Sequence, residues 1–451
     1  VNFSLNTGVG GIQLIPNRAT TNNEGIVQTV INSGTVATSV RVQATIDDGS
    51  IPQISSQSSV LVVSTGIPDQ DSFSLSANIL NPEAYNIFGK ARPITAQFGD
   101  DLNSFVADGT EVHFMAEYGS IADSCFTSSS QCSVDWLSGA PRSLPFDDTD
   151  ERFVGSTPCL NAAGIDGGLS AILVPCPYSN AVASSETVAG HYGGLGQVYT
   201  NRVSIMAWVS NGAETFFDGN GDGLFNEGEK FIDVGEPFID HNEDGVFGGR
   251  LSDGSLAPGA ASIGDPEGLC YDDASKYCFQ QGGERESYVD INGNGSFDQN
   301  GNGIYNGPLC AVVGSGCTKA GVTIFKQFTI LQSGSFPRIG VLNLDGAPLD
   351  PYSAASYPAN MTIIGESSNY RVTVSDYMNG PMPEGTQIAF STSYGEILGN
   401  SGCTVPNTSS LQFTECYVTV KADETSGAGL FTIKVTAPGG TVNEVSKVIS
   451  D

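Results

Sequence analysis

The feature that most constrains this chain is a stretch rich in aspartate, asparagine and glycine between Phe216 and Pro308. Its first segment, DGNGDGLFNEGE from Asp218 to Glu229, fits the pattern D-x-[DN]-x-[DN]-G-x5-E. In such a loop, oxygen ligands fall at positions 1, 3, 5, 7, 9 and 12, and a glycine at position 6 allows a sharp turn. The pattern therefore predicts a calcium-binding loop. Its ligands are Asp218, Asn220, Asp222, the carbonyl of Leu224, Asn226 and Glu229.

Three partial copies of this pattern follow in the same stretch. Their predicted ligands are Asp240, Asn242 and Asp244 in the first copy, Asp290, Asn292 and Asn294 in the second, and Asp298, Asn300 and Asn302 in the third. The last two copies overlap, so Asp298 would serve as position 9 of one loop and position 1 of the next. None has a glutamate at its own position 12. We expect Asp233, Glu236 and Glu243 to complete these sites from the segment between the loops.

The alternative interpretation of this stretch is a solvated turn region without metal. Regulatory EF-hand pairs are disfavoured, because Gly228, Gly235 and Pro237 leave no room for long flanking helices. The calcium would thus have a structural role rather than act as a switch.

The charge of the chain limits its partners. The formal net charge is −31, which argues against nucleic acid and anionic membranes and favours cations, calcium above all. No apolar run reaches the roughly 18 residues of a membrane helix, so no membrane insertion is expected in this segment. No signal peptide opens the chain; we expect that one was removed or that the segment belongs to a longer protein.

The ten cysteines form close sequential pairs, which predicts disulfides local to loops in an oxidising compartment. The predicted pairs are Cys125/Cys132, Cys159/Cys176, Cys270/Cys278, Cys310/Cys317 and Cys403/Cys416. Zinc is a weak alternative, because the chain has no C-x2-C spacing and only 3 histidines.

An internal repeat predicts an all-β fold. The segment Ile94–Ile121 aligns without gaps to Tyr370–Ile397, and each copy alternates apolar and polar residues around a glycine-containing turn, which is typical of antiparallel strands. The identical pairs are Asp100/Asp376, Asn103/Asn379, Gly109/Gly385, Thr110/Thr386, Phe114/Phe390, Tyr118/Tyr394, Gly119/Gly395 and Ile121/Ile397. The chain of 451 residues has room for two or three domains, and 56 glycines and 22 prolines suit short strands and many turns. We therefore predict repeated β-sandwich units.

Four segments carry a resemblance to a known family. They are Gly109–Phe114 and Gly385–Phe390 with the Tyr-Gly pairs that follow them, the turn Thr21–Gly25 and the Val-x-Val-x-Ala strand Val40–Ala44. They resemble the group 1 bacterial immunoglobulin-like domains, the tandem repeats of invasin- and intimin-type surface proteins. The resemblance implies immunoglobulin-like sandwiches of about seven strands in an extracellular spacer or adhesin. The large insertions depart from that pattern.

Alignment of the penultimate strands suggests the domain limits. We predict an immunoglobulin-like domain over 1–66, a second over 67–332 and a third over 333–451. The second carries insertions at 140–197 and 213–318, and the latter contains the calcium loops.

The first domain lacks its opening strands, because Val1–Leu5 resembles the middle of the repeat. A sandwich with open edges would expose its core, so we expect either upstream strands or a strand donated by a neighbouring molecule.

The second domain has an unusual outer face. Ser204, Met206 and Trp208 occupy outward-pointing positions where the other domains carry polar residues or arginine. We expect an insertion to cover them. Because the loop between the last two strands lies where the chain enters such a sandwich, the calcium insertion should reach toward the first domain. The insertion with Cys159/Cys176 should reach toward the third.

The sequence offers no catalytic set. His113, His191 and His241 are scattered, and no P-loop, H-E-x-x-H or G-x-S-x-G occurs, so we expect no enzyme. Our first hypothesis is a bacterial cell-surface stalk or adhesin, stiffened by calcium and disulfides, with a protein or glycan partner. The alternatives are a subunit of an extracellular filament or sheath that joins copies of itself by strand exchange, and a carbohydrate-binding or hydrolytic module in the insertions.

Overall fold

The computed structural model describes residues 1–34, 38–46, 49, 53–101, 103–140, 202–240, 247, 287–298, 300–346, 360–376, 380–410 and 414–451. Regular structure in these residues is β-strand apart from one 3-10 turn, Val9–Gly11. The predicted all-β fold is thereby confirmed. In the part of the chain that the structure describes, no helix is long and apolar enough to cross a membrane.

Residues 74–331 contain a β-sandwich, called here the second sandwich. Its strands are β8 (Ser74–Ala77), β9 (Ala91–Gln97), β10 (Glu111–Ala116), β11 (Ser120–Ile121), β12 (Ser124–Phe126), β13 (Gln131–Leu137), β14 (Arg202–Gly212) and β17 (Val322–Leu331), with β15 (Tyr305–Asn306) and β16 (Cys317–Thr318) in the insertion between the last two. One sheet has the order β11-β13-β9-β8 and the other β12-β10-β14-β17. Along β13 the residues alternate between exposed and buried, as a strand with one face on a core requires. Ile94 and Trp136 of the first sheet and Phe114 and Ile205 of the second belong to the same buried cluster.

Residues 337–450 form the third sandwich. Its strands are β18 (Pro337–Asn343), β19 (Met361–Thr362), β20 (Ser367–Asp376), β21 (Gln387–Thr392), β22 (Glu396–Leu398), β23 (Gly402–Thr404), β24 (Thr414–Lys421), β25 (Ala428–Thr436) and β26 (Val442–Ser450). Its sheets have the orders β18-β20-β24-β22 and β19-β26-β25-β21-β23. Apart from the added β19, each sheet repeats the order found in the second sandwich. Val372 and Val418 of one sheet and Phe431 and Ile433 of the other share its core.

The two copies of the internal sequence repeat share local backbone features at two pairs of positions. The turn glycines Gly109 and Gly385 have φ angles of 84° and 82°, a region that favours glycine. Asp100 and Asp376, which occupy the same position in the two copies, anchor the chain that enters each sandwich. Their Oδ2 atoms accept hydrogen bonds from the backbone N–H groups of Thr65 (2.9 Å) and Gly334 (2.7 Å).

Disulfides join the two sheets of each sandwich at equivalent places. Cys125–Cys132 links β12 to β13, and Cys403–Cys416 links β23 to β24. A third disulfide, Cys310–Cys317, lies in the insertion. These three predicted pairs are confirmed. The other two, Cys159/Cys176 and Cys270/Cys278, lie outside the described residues.

Residues 1–63, called here the first unit, are less complete. The strands are β1 (Asn2–Leu5), β2 (Gln13–Ile15), β3 (Val30–Asn32), β4 (Thr38–Val40), β5 (Val42–Thr45), β6 (Ser55–Gln57) and β7 (Leu61–Val63). They form the sheet β1-β5-β6 and the pairs β2-β3 and β4-β7. Phe3 lies opposite Ala44 as Phe114 lies opposite Ala207, so β1 and β5 correspond to β10 and β14. Several large apolar side chains remain exposed: Ile15, Ile26, Val30, Ile54 and Val62.

The second and third sandwiches meet through buried polar groups. Asn81 is 0% exposed; its Nδ2 donates to the carbonyls of Met382 (2.9 Å) and Pro406 (3.1 Å), and its Oδ1 accepts from the N–H of Thr408 (3.0 Å). Glu83 is also buried and accepts hydrogen bonds from the Ser335 hydroxyl and the Gly439 N–H. Because these contacts satisfy the buried side chains of Asn81 and Glu83, they hold the two sandwiches together at this joint.

The insertion after β14 packs along the outer face of the second sandwich. Ser204 Oγ donates to the Asp240 carbonyl (2.7 Å), the Asp240 N–H donates to Gln327 Oε1 (3.2 Å), and the Phe238 and Phe325 rings are 6.3 Å apart. Met206 is 0% exposed. The insertion therefore covers the outer face of the second sandwich at Ser204, as predicted. Trp208 stacks on His113 at 5.3 Å.

Candidate metal centre

The first Asp/Asn/Gly loop, Asp218 to Glu229, turns around the carboxylate of its first residue. Asp218 Oδ1 accepts from the N–H of Gly221 (2.6 Å), and Oδ2 accepts from the N–H of Gly223 (2.8 Å). Gly223 has a φ of 75°, which permits the sharp turn at position 6. Hydrogen bonds from the Leu224 N–H and the Asn226 amide hold the pKa of Asp222 below its ordinary value.

Glu229 closes this loop. Its Oε1 accepts from the Gly219 N–H (2.7 Å) and its Oε2 from the Asn226 N–H (2.8 Å). The carboxylate at position 12 is thus bonded to positions 2 and 9 and folds back over the loop. Asn226 Nδ2 also donates to Asp222 Oδ2 (3.0 Å) and to the Leu224 carbonyl (3.1 Å), so the oxygens of positions 5, 7 and 9 lie near one another.

The loop that begins at Asp290 has the same geometry, but a distant residue closes it. Asp290 Oδ1 and Oδ2 accept from the N–H groups of Gly293 (2.6 Å) and Gly295 (2.8 Å). Glu236 Oε1 accepts from Ile291 N–H (2.8 Å), and Oε2 accepts from Asp298 N–H (3.1 Å). These are again positions 2 and 9. The structure therefore places Glu236, which is 6% exposed, where the sequence analysis expected a residue to complete a loop from outside.

Asp298 belongs to the Asp290 loop. Its Oδ2 accepts hydrogen bonds from the side-chain amides of Asn292 and Asn294, as a position 9 residue facing positions 3 and 5. In the following loop, Asn300 to Asn306, the N–H group of Gly303 does not donate to Asp298. It donates to Asp233 Oδ2 at 2.9 Å. The overlap predicted for Asp298 thus differs from the observed arrangement, in which Asp233 stands at the position 1 end of the last loop.

Glu214 is a buried carboxylate that the sequence analysis missed. It follows β14 directly and is 1% exposed. Its Oε1 accepts from Val234 N–H (2.9 Å), and its Oε2 accepts from Asn306 N–H (2.8 Å) and Nδ2 (3.1 Å). Burial raises the pKa of Glu214, against the effect of these hydrogen bonds. Its signal in the sequence is weak, because it lies outside every copy of the loop pattern.

Two aromatic clusters position the loops. Phe216, Phe225, Phe231 and Tyr305 pack together beside the Cys310–Cys317 disulfide, and the rings of Phe225 and Tyr305 stack at 4.7 Å. A second cluster lies beside the Asp290 loop and consists of Phe238, Phe247, Tyr288 and Phe297. These apolar clusters give short, glycine-rich loops a hydrophobic support that their own residues could not supply.

Within the described residues, no group of three or more His, Cys, Asp and Glu side chains converges as a metal-binding set, and this holds for the carboxylates of the loops as well. The case for a hard divalent cation therefore depends on the types of donor in the loops. The loops combine carboxylate, amide and carbonyl oxygens, the mixture that calcium takes. One observation directly fits a cation: Asp233 Oδ1 is buried and has no hydrogen-bond partner. Of the loop that begins at Asp240, residues 241–246 lie outside the described residues, including Asn242, Glu243 and Asp244.

Acidic residues lie near Asp218 of the first loop, where the chain enters the second sandwich. The Thr215 hydroxyl donates to Asp69 (2.9 Å), and the Ala213 N–H donates to the Pro68 carbonyl (2.8 Å), so the insertion begins against the entering chain. Burial, together with the charges of Asp69, Asp100 and Asp218, raises the pKa of Asp101 to about 6. No basic residue contributes to this shift.

No protein-family model and no curated protein matches the sequence. Among solved structures, the chain is similar to the D0-D1 domain of intimin, with 10% identity and a TM-score of 0.19 over 83% of this chain and 97% of that one. It is similar to the Yersinia pseudotuberculosis adhesin InvE, with 10% identity and a TM-score of 0.20 over 85% of this chain and 60% of that one. Invasin, a bacterial integrin-binding protein, matches with 13% identity and a TM-score of 0.18 over 99% of this chain and 71% of that one. Because these TM-scores are low, we draw no conclusion about the site or the function from them.

Proposed function

We propose that this chain is a structural segment of an extracellular bacterial surface protein, in which successive β-sandwiches form a stiff stalk and calcium loops brace the second sandwich. Its task would be to hold a binding region, for a protein or a glycan, away from the cell. It would act by shape and rigidity rather than by catalysis.

The observation that carries this proposal is the joint between the second and third sandwiches. Domains joined by a bare linker are expected to move relative to one another. Here Asn81 and Glu83 of one sandwich are buried against the backbone of the other and hydrogen-bonded to it. A direct, satisfied polar interface of this kind favours a fixed angle, which is what a spacer needs.

Three further observations support an extracellular stalk. The disulfides Cys125–Cys132 and Cys403–Cys416 lie at equivalent sites of the two sandwiches and suit an oxidising compartment. The net charge of −31 suits an environment rich in divalent cations. The loops of the insertion present oxygen donors on a support that runs along the sheet, so bound calcium would stiffen the second sandwich from outside.

The test is the shape of the protein in solution with and without free calcium. We expect small-angle scattering to give an extended particle with a single dominant angle between the second and third sandwiches in calcium. Removal of calcium with EGTA should shorten or broaden the distribution of interatomic distances, because the loops between Phe216 and Pro308 would lose their ions. A flexible particle in calcium, with the two sandwiches moving freely, would contradict the proposed role as a stalk.

A second candidate function rests on the first unit. Its exposed apolar residues, among them Ile15 and Val30, are typical of a sandwich that lacks a covering strand. If a strand from a second copy completes it, the chain would be a filament subunit. Analytical ultracentrifugation distinguishes the two roles: a stalk segment stays monomeric across the concentration range, whereas a filament subunit forms long polymers that the single change Val30→Lys would weaken.

A further inference from the structure

We infer that the insertion contains a cation site built from three separate segments, with Asp233 and Glu214 as its carboxylate ligands and the loop Asn302 to Asn306 between them. This inference rests on the proposed calcium loading and extends it to a site whose two carboxylates both lie outside the contiguous loop pattern. In this site Asp233 stands at position 1, Asn302 at position 5, the Ile304 carbonyl at position 7, Asn306 at position 9 and Glu214 at position 12.

The assignment follows from hydrogen bonds that recur in all three described loops. Position 6 donates to the carboxylate at position 1: Gly223 to Asp218, Gly295 to Asp290, and Gly303 to Asp233. The N–H of position 7 donates to the side-chain oxygen of position 5 in each loop.

The closing carboxylate shows the same agreement. In the first loop Glu229 accepts hydrogen bonds from the N–H groups of positions 2 and 9. In the loop that begins at Asp290, Glu236 accepts from the same two positions. Glu214 accepts from Val234, the residue after Asp233, and from Asn306. If Asp233 is position 1, then Val234 is position 2 and Asn306 is position 9. Glu214 therefore occupies the place of the closing glutamate.

An independent observation points to a missing ligand. Asp233 Oδ1 is buried without a hydrogen-bond partner, and a buried carboxylate oxygen without a partner is costly. It lies so close to the chain that a Cβ placed on Gly301 would come within 1.9 Å of it. A glycine therefore leaves room for this oxygen beside the loop, and a cation would give it the partner that the protein does not.

The environment of Glu214 agrees with a cation rather than with a salt bridge. This carboxylate is 1% exposed, and its hydrogen-bond donors in the described residues are neutral amides of Val234 and Asn306. A buried charge needs a countercharge. A calcium ion shared by Asp233 and Glu214 would supply it and would tie the end of β14 to two distant parts of the insertion.

The experiment counts bound calcium ions on the full chain by native mass spectrometry and follows binding by calorimetry. Compared with the wild type, Glu214→Gln and Asp233→Asn should each lose one ion per chain, and the double variant should lose the same single ion. Glu229→Gln serves as the control from the first loop: combined with Glu214→Gln it should lose two ions. Near-ultraviolet circular dichroism verifies that each variant is folded.

Two results would overturn the inference without touching the proposed calcium loading. One is a wild-type ion count that Glu214→Gln and Asp233→Asn both retain, with unchanged affinities. The other is a double variant that loses two ions, because the two residues would then belong to different sites. A wild type that binds no calcium at all would instead overturn the proposed loading and this site together.

Discussion

The second sandwich is held by different chemistry at its two ends. Toward the third sandwich, side chains of the loop after β8 bond directly to the backbone of the neighbouring sandwich, as Asn81 does to Met382 and Thr408. At the end where the chain enters, the linker bonds instead to the second sandwich's own insertion, as Asp69 does to Thr215. The first end is an interface between two sandwiches. The other end is an interface between the entering chain and the insertion that contains the Asp/Asn/Gly loops.

We expect this difference to separate two sources of stiffness. Asp100 and Asp376 anchor the entering chain identically in both sandwiches, so the anchor itself does not distinguish the ends. The joint to the third sandwich contains its own hydrogen-bond partners, so we expect it to need no ion. At the entering end, burial and the charges of Asp69 and Asp218 raise the pKa of Asp101, and no basic residue offsets them. We therefore expect the order of this end to depend on calcium.

Removal of all calcium should have the largest effect. If each site has a dissociation constant near 10⁻⁴ M, a hundredfold excess of calcium stabilises the fold by about 2.7 kcal/mol per site. EGTA should therefore lower the melting temperature and open the segment from Phe216 to Pro308 to proteases. The control is the third sandwich, whose cleavage pattern should not change. An unchanged melt and digest in EGTA would reject the calcium interpretation.

Loss of one loop should have a smaller and local effect. Asp218→Ala together with Glu229→Ala removes the carboxylates at positions 1 and 12 of the first loop and should cost about 2.7 kcal/mol at the same calcium excess. The angle between the first unit and the second sandwich should broaden in single-particle images, while the angle to the third sandwich should stay as it is. Glu227→Ala, in the same loop but outside the ligand positions, is the matched control. Equal broadening at both ends would contradict the proposed division.

The opposite joint should respond to Glu83→Ala and not to calcium. This change leaves the buried Ser335 hydroxyl without its acceptor and removes the acceptor of the Gly439 N–H, and an unsatisfied buried group costs about 2 kcal/mol. Scattering should show a wider distribution of angles between the second and third sandwiches, equal in calcium and in EGTA. Glu424→Ala, an exposed site on the third sandwich, should leave the distribution unchanged. A loosening that calcium reverses would mean that the two ends are coupled.

The sequence predicted those features that depend on local pattern. Strands β9, β10, β20 and β21 were recognisable because the turn glycines Gly109 and Gly385 fix the register of an alternating pattern on both sides. Three disulfides were recognisable because their cysteines are close in the chain, and neighbouring strands bring them together. The contiguous first loop could be identified for the same reason.

The features that depend on distant contacts were predicted less completely. Glu236 could be proposed as a residue that closes another loop, because three loops lacked a glutamate, but its pairing with the Asp290 loop required the fold. Glu214 could not be proposed, since it follows β14 and meets Asn306 only when the insertion folds back. The joint at Asn81 was missed because an asparagine in a loop is usually exposed, and only the packing of a second sandwich buries it.

The smallest predicted effect is a pH dependence at the entering end in the absence of calcium. The pKa of Asp101 is raised from 3.8 to about 6 by burial and by the charges of Asp69, Asp100 and Asp218. The folded chain therefore holds a proton that the unfolded chain releases, and this contribution to stability is complete below pH 3.8 and lost as the pH rises to about 6. In EGTA the wild type should lose part of its melting temperature between pH 4.5 and 6.5, and Asp101→Asn should lose less. Asp135→Asn, at an exposed site on β13, should follow the wild type.

In calcium, the fall in the wild-type melting temperature over this pH range should shrink or reverse, because a cation near Asp218 favours the ionised carboxylate. A pH dependence identical in Asp101→Asn and the wild type would show that this acidic group does not control the entering end.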